Sequence, residues 1–153
     1  NSSARIFKTM NYVSGDHGDR SQNDRLKRTK DRKELTPVAV KTVATLFDLW
    51  ALPPRKAAKL LNVDEGTWAA MDEGSWKGIL SAEQLERVSA FVAIYRSLTE
   101  AYGEKDGESW PMQNNRLDPF HGKPPVDFMA SGGLDRIKAV RRHLSVVQDA
   151  KAM

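Results

Sequence analysis

The sequence predicts an all-α protein, a helix-turn-helix bundle with a long central helix followed by a small helical C-terminal domain. Three observations carry that expectation. Apolar residues recur at spacings of three and four along residues 40–50, 85–102 and 134–147. No stretch shows the two-residue alternation of a strand. Prolines and glycines stand where helices start and stop, with Pro37, Pro54 and Pro125 at predicted first turns and Gly103 at a predicted end.

Taken in order, residues 1–35 read as a flexible basic leader, because SGDHGDRSQND and RLKRTKDRK contain too little apolar surface to offset the entropy of ordering. Residues 36–103 form the predicted helix-turn-helix domain. Its first helix is expected to start with Thr36 as N-cap and Pro37 at the first helical position, and to bury Val40, Val43, Leu46, Phe47 and Trp50. Pro54 opens a second helix, with Ala57, Ala58, Leu60 and Leu61 on its inner side. Ser81 and Gln84 form a capping box that starts the long helix. That helix carries Leu85, Val88, Val92, Tyr95 and Tyr102 on one stripe and Phe91, Ile94 and Leu98 beside it. Apolar width of this kind means either a central position in the fold or a meeting with a second copy. Residues 104–153 are expected to be an extended linker anchored by Trp110 and Phe120, then the C-terminal domain. Its last helix has Leu134, Ile137, Val140, Leu144 and Val147 on one stripe.

The length of 153 residues allows one domain with tails or two very small ones. The net charge of +4 is unevenly spread. Residues 1–35 hold 9 basic and 5 acidic side chains, residues 36–110 hold 8 and 11, and residues 111–153 hold 7 and 4. Basic ends around an acidic middle suit nucleic acid or an acidic protein surface. Cysteine is absent, which removes disulfides, thiolate metal sites and cysteine nucleophiles, and fits a reducing compartment, so a cytoplasmic protein is expected. No stretch approaches the roughly 20 apolar residues of a membrane span.

Catalytic chemistry has little to stand on. The histidines, His17, His121 and His143, have no second histidine or carboxylate at a metal-binding spacing. The glycine pair at 132 and 133 lies between helices rather than after a strand, so it makes no phosphate loop. Neither an enzyme nor a cofactor is expected.

The strongest local pattern is PRKAAKLLNVDEGTWAAM, Pro54 to Met71. A helix-turn-helix needs a small residue where its helices cross, apolar inner faces, and a turn residue that tolerates positive φ. Ala58, then Leu61, Val63, Trp68 and Met71, and Asn62 fill those roles. The outward positions of the second helix, Asp64, Glu65, Gly66, Thr67 and Ala70, make a poor reader of base edges, since two are acidic and two lack a hydrogen-bonding side chain. Arg55, Lys56, Lys59 and Lys77 are the candidate phosphate contacts, with Thr67 the polar group nearest the groove. The motif serves either operator DNA or a scaffold kept for dimerisation.

Read in order, LTPVAVKTVATLFDLW, this motif and LSAEQLERVSAFVAIY, followed by NNRLDPFHGKPPVDFMASGGLDRIKAVRRHL, resemble the Xre/MbcA/ParS family of antitoxins. In the C-terminal part Asn115, Pro119, Gly122, Pro125, Gly133, Val140 and Leu144 take the places of the family pattern. The resemblance implies an Xre-like helix-turn-helix domain and a small toxin-binding domain. It also implies a cognate RES-domain toxin that consumes NAD and is neutralised by covering its active site, a homodimer within the toxin–antitoxin complex, and repression of the operon by the complex or by the antitoxin dimer.

The short helix between Pro125 and Gly132 reads as a compact knob, and Arg136, Lys138, Arg141, Arg142 and His143 are expected on the polar side of the last helix. The candidate toxin contacts are Pro125, Gly132, Gly133, Arg136, Arg141, Arg142 and His143, with the tail from Gln148. A solvated basic face is the competing account of these residues. An autonomous helix-turn-helix transcriptional regulator is the alternative function.

Overall fold

The structure, a computed structural model, describes residues 28–152, so residues 1–27 of the leader expected over residues 1–35 lie outside the described residues, while its last residues, from Thr29, are helical rather than flexible. The elements are α1 (Thr29–Leu49), α2 (Pro54–Leu61), α3 (Glu65–Glu73), α4 (Ala82–Ser109), a 3-10 turn (Trp110–Met112), α5 (Pro125–Ala130) and α6 (Leu134–Ala152). Among the described residues there is no strand, only an isolated bridge between Asn115 and Lys123. The all-α class is as the sequence predicts.

The first helix starts earlier than expected. It begins at Thr29, and Pro37 sits inside it. Thr36 is therefore no N-cap. Its buried hydroxyl donates to the Arg32 carbonyl at 2.6 Å and accepts the backbone N–H of Leu80 at 3.1 Å. That second bond secures the loop before α4 against α1. Pro37 cannot donate to the Lys33 carbonyl, and both residues lie on the exposed side of the helix, where solvent can reach the orphaned oxygen. The buried stripe also shifts. It runs through Leu35, Ala39, Val43, Leu46, Phe47 and Trp50, while Val40 is only half-buried.

Aromatic packing joins α1 to its neighbours. Phe47 lies 5.1 Å from Phe91 of α4, edge to face, and 5.5 Å from Trp68 of α3, centroid to centroid. Such pairs contribute about 0.5–1.5 kcal/mol each beyond area burial. Trp50 completes the cluster against Phe91 at 6.2 Å.

The capping box that starts α4 is present. Ser81 Oγ accepts from Gln84 N–H at 3.0 Å, and Gln84 Oε1 accepts from Ser81 N–H at 2.9 Å. The apolar width of α4 is consumed within the chain, because α1 and α2 pack on it and α6 runs along it. Leu85, Val88, Phe91, Val92, Ile94, Tyr95 and Leu98 are all buried. A second copy is not needed to cover them.

Gly103 ends the regular helix as expected, at φ 84° and ψ 169°, but helix resumes after this kink and continues to Ser109. Residues 104–109 are thus helical rather than extended. The two expected anchors do meet: the Trp110 and Phe120 rings lie 5.6 Å apart, edge to face. Phe120 is buried and also contacts Phe128 of α5 at 5.6 Å. On α6, Ile137, Val140 and Leu144 are fully buried, a transfer contribution of roughly 5–9 kcal/mol. The buried residues on both sides of Gly103 join one continuous core, and α5 rests on α2 of the helix-turn-helix.

Candidate functional site

Two surfaces carry the candidate residues, the helix-turn-helix and the outer side of α6. The turn between α2 and α3 is built as its residue types demand. Asn62 adopts φ 62° and ψ 50°, ending α2 in the left-handed region, and its N–H and that of Val63 return to the Lys59 and Ala58 carbonyls. Asp64 then caps α3, its Oδ1 accepting the Thr67 N–H at 2.6 Å. That backbone bond, with lesser help from the Thr67 side chain, lowers the Asp64 pKa below its ordinary value. Asp64 is consequently a fixed negative charge at the start of the helix that would enter a DNA groove. Glu65, Asp72 and Glu73 add exposed acids to the same short helix, which contains no cation.

The five candidate DNA contacts do not converge. Arg55 and Lys59 are exposed one turn apart on α2. Lys56 is half-buried and pairs with Asp127 of α5 at 3.0 Å, so its ammonium is directed to the C-terminal segment rather than to a phosphate. Thr67 is half-buried and its N–H is taken up by the cap. Lys77 is exposed but lines a groove beside α1 together with Lys33 and Lys41. The structure therefore brings together Arg55 and Lys59 alone.

On the C-terminal side, Pro125 is buried at the start of α5, against the expectation of a contact residue. Gly132 is exposed beneath the Arg136 side chain. Gly133 adopts φ 79°, and a Cβ there would lie 3.2 Å from Arg87 Nη2. Arg136 folds back on its own chain, with Nη1 donating to Ser131 Oγ at 2.7 Å and the guanidinium 4.7 Å from the centre of the Phe128 ring. Lys138 pairs with Glu86 of α4 at 3.6 Å, and Gln148 donates to Glu100.

His143 is not on the polar side of α6. Its ring stacks on Trp110 at 6.4 Å and meets the edge of Phe120 at 5.3 Å. Burial lowers its pKa, which favours the neutral ring. The helical stripe runs through Val140 and Leu144, and His143 falls at its margin, where the aromatic pair from the preceding loop closes over it. That loop is distant in sequence, so periodicity alone placed His143 outside. Arg141 and Arg142 remain exposed, with no ion pair among the described residues. They alone among the candidate side chains of α6 keep their charged groups uncommitted.

Arg87 joins the two surfaces and was not among the sequence candidates. It is 7% exposed on α4. Its Nη1 donates to the Leu60 carbonyl at 2.9 Å, Nε and Nη2 each reach Glu83 at 2.8 Å, and Gly133 lies beside it. The signal was available: Glu83 and Arg87 are four residues apart, and Arg87 lies within the apolar run of α4. Among the described residues, no group of three or more His, Cys, Asp or Glu could hold a metal ion, and no helix is long and apolar enough to cross a membrane.

Residues 29–93 match the model of the antitoxin Xre-like helix-turn-helix domain. This stretch covers α1, α2, α3 and the first part of α4, so it includes the turn at Asn62 and the capping box at Ser81. Neither a curated protein nor a solved structure matches the chain. The domain match supports a toxin–antitoxin antitoxin or, more generally, a DNA-binding regulator.

Proposed function

We propose that this chain is the antitoxin of a toxin–antitoxin pair, that its segment from residue 104 onward binds a cognate RES-domain toxin, and that it neutralises the toxin by covering its NAD-consuming active site. The similarity of residues 29–93 to an antitoxin helix-turn-helix supports the class. The observation that carries the binding face is the contrast along α6. Arg136, Lys138 and Gln148 are engaged by their own chain, whereas Arg141 and Arg142 are exposed and unpaired within the described residues. Guanidinium forks in that state suit a cleft built for a phosphate-bearing cofactor or lined by acids.

The reading includes a homodimer that contributes to operon repression. A two-fold pair is how helix-turn-helix proteins usually address symmetric operators. Repression by this chain alone is expected to be weak, because α3 presents Asp64 and Glu65 and, of the exposed candidate phosphate contacts, Arg55 and Lys59 lie together on α2 while Lys77 stands apart beside α1.

The test is co-expression with the product of the adjacent reading frame. A stoichiometric complex with abolished NAD consumption is expected, and the R141E/R142E pair should release activity while leaving the melting temperature in place. A neighbour that is harmless when expressed alone, or a complex indifferent to both reversals, would sink the respective part of the reading. The alternative, an autonomous transcriptional regulator, is supported by the same domain match and predicts salt-sensitive, sequence-specific binding of the isolated chain to its own promoter.

A further inference from the structure

The groove between α1 and the loop from α3 to α4, which Lys77 lines, lies apart from Arg55 and Lys59 and from the outer side of α6. One wall is the outer stripe of α1, Lys33, Pro37, Val40, Lys41, Ala44 and Asp48. The other holds Trp76, Lys77 and Ile79, the last 40% exposed and one of three large hydrophobic residues left exposed among the described residues. Nothing within the described residues fills the space between them.

We propose that this groove is the homodimer interface, occupied by α1 of a second copy lying antiparallel across it. This deepens the homodimer part of the reading above and names its surface. The argument is self-complementarity. A symmetric interface places the same patch on both subunits, so residue i must suit j and j must suit i. A two-fold axis crossing α1 between Val40 and Lys41 sets Lys33 against Asp48 of the partner subunit, Pro37 against Ala44 of the partner subunit, and Val40 against Lys41 of the partner subunit. The charges at the two ends are opposite, Pro37 and Ala44 leave small apolar surfaces between them, and the Lys41 side chains of the two copies flank the axis.

Each of these matches follows from positions about four turns apart or less on one helical face. Lys33 and Asp48 form no ion pair with other described residues, so both charges are available. Proline and alanine at the crossing let two helix axes approach to about 8–10 Å. Trp76 and Ile79 then cover the outer side of the entering helix, and Lys41 can lay its apolar stem along Val40 while its ammonium reaches water. The acidic helix α3 borders the groove through Asp72 and remains outside the crossing.

The experiment is sedimentation equilibrium on the full chain over a concentration series. The wild type is expected to dimerise, A44E to be monomeric, and D48K to weaken association by roughly tenfold through two like-charge contacts per dimer. The double variant K33D/D48K re-creates both pairs with reversed polarity and should recover most of the loss. Circular dichroism on each variant checks the fold, and the recovery cannot arise from unfolding. A wild type that stays monomeric throughout overturns both the homodimer reading and this interface. A dimer unaffected by A44E and D48K, or a double variant no tighter than D48K, overturns the interface and leaves the homodimer standing.

Discussion

Replacing Arg87 with methionine should destabilise the fold by about 2–3 kcal/mol, and the figure follows from one carbonyl. Leu60 is the penultimate residue before Asn62, at the end of α2. Its neighbours' carbonyls at Ala58 and Lys59 accept the N–H groups of Val63 and Asn62, but the Leu60 oxygen is reached by Arg87 Nη1 at 2.9 Å. Leu60 is fully buried. Methionine keeps much of the apolar stem, so the change isolates the loss of a charge-assisted bond and the cost of leaving a buried acceptor unmade, each about 1.5–3 kcal/mol and overlapping. Removing Arg87 leaves little cost at Glu83, because that carboxylate side chain is 42% exposed and remains solvated when abandoned. E83Q is the control: glutamine keeps an oxygen that can accept from Arg87 and leaves the bond to the Leu60 carbonyl in place, so it should cost less than R87M. Urea unfolding of the three proteins reads the difference at unchanged slope, and a melting shift of about 6–9 °C should accompany R87M. An R87M protein within about 0.5 kcal/mol of wild type would show that the Leu60 carbonyl is satisfied by water, refuting the account of Arg87 as the junction between α2, α4 and the turn before α6.

Two further perturbations probe the same junction. G133A should destabilise by about 1–3 kcal/mol, since an L residue at φ 79° is strained and its Cβ would press on Arg87 Nη2 at 3.2 Å; a chemical melt at wild-type midpoint would contradict this. His143 supplies a pH dependence. Its folded pKa is depressed by burial, so the unfolded chain binds the proton more readily, and its stabilising effect is present above the unfolded value near 6.5 and lost as pH falls toward the folded value. Stability measured from pH 7.5 down through that window should fall more steeply for wild type than for H143L, and parallel curves would remove His143 as the source.

Much of the architecture was legible because its signals are local. Pro54 opens α2, Asn62 closes it and Ser81 caps α4, each acting through bonds to residues two to four positions away, whereas Asp64, expected as an outward position of the second helix, is its N-cap. The Thr36–Pro37 pair misled for the same reason. It carries a helix-start signature, yet the Leu80 N–H, 44 residues on, draws the hydroxyl inward, and the turn of helix before it is held by buried Leu35. The resemblance to an antitoxin, read from short motifs in order, is supported over residues 29–93 by the domain match.

By itself the sequence determined the all-α class, the helix-turn-helix and most element boundaries, because periodicity, caps and turns are encoded within one or two turns of chain. Tertiary structure alone decided the rest. It laid α6 along α4 and so explained the width of the central helix without a second copy. It also enclosed His143 between Trp110 and Phe120, committed Lys56 and Arg136 to their own chain, and left Arg141 and Arg142 outside. A side chain's availability depends on which distant segment packs over it, and that choice is made by the whole core at once.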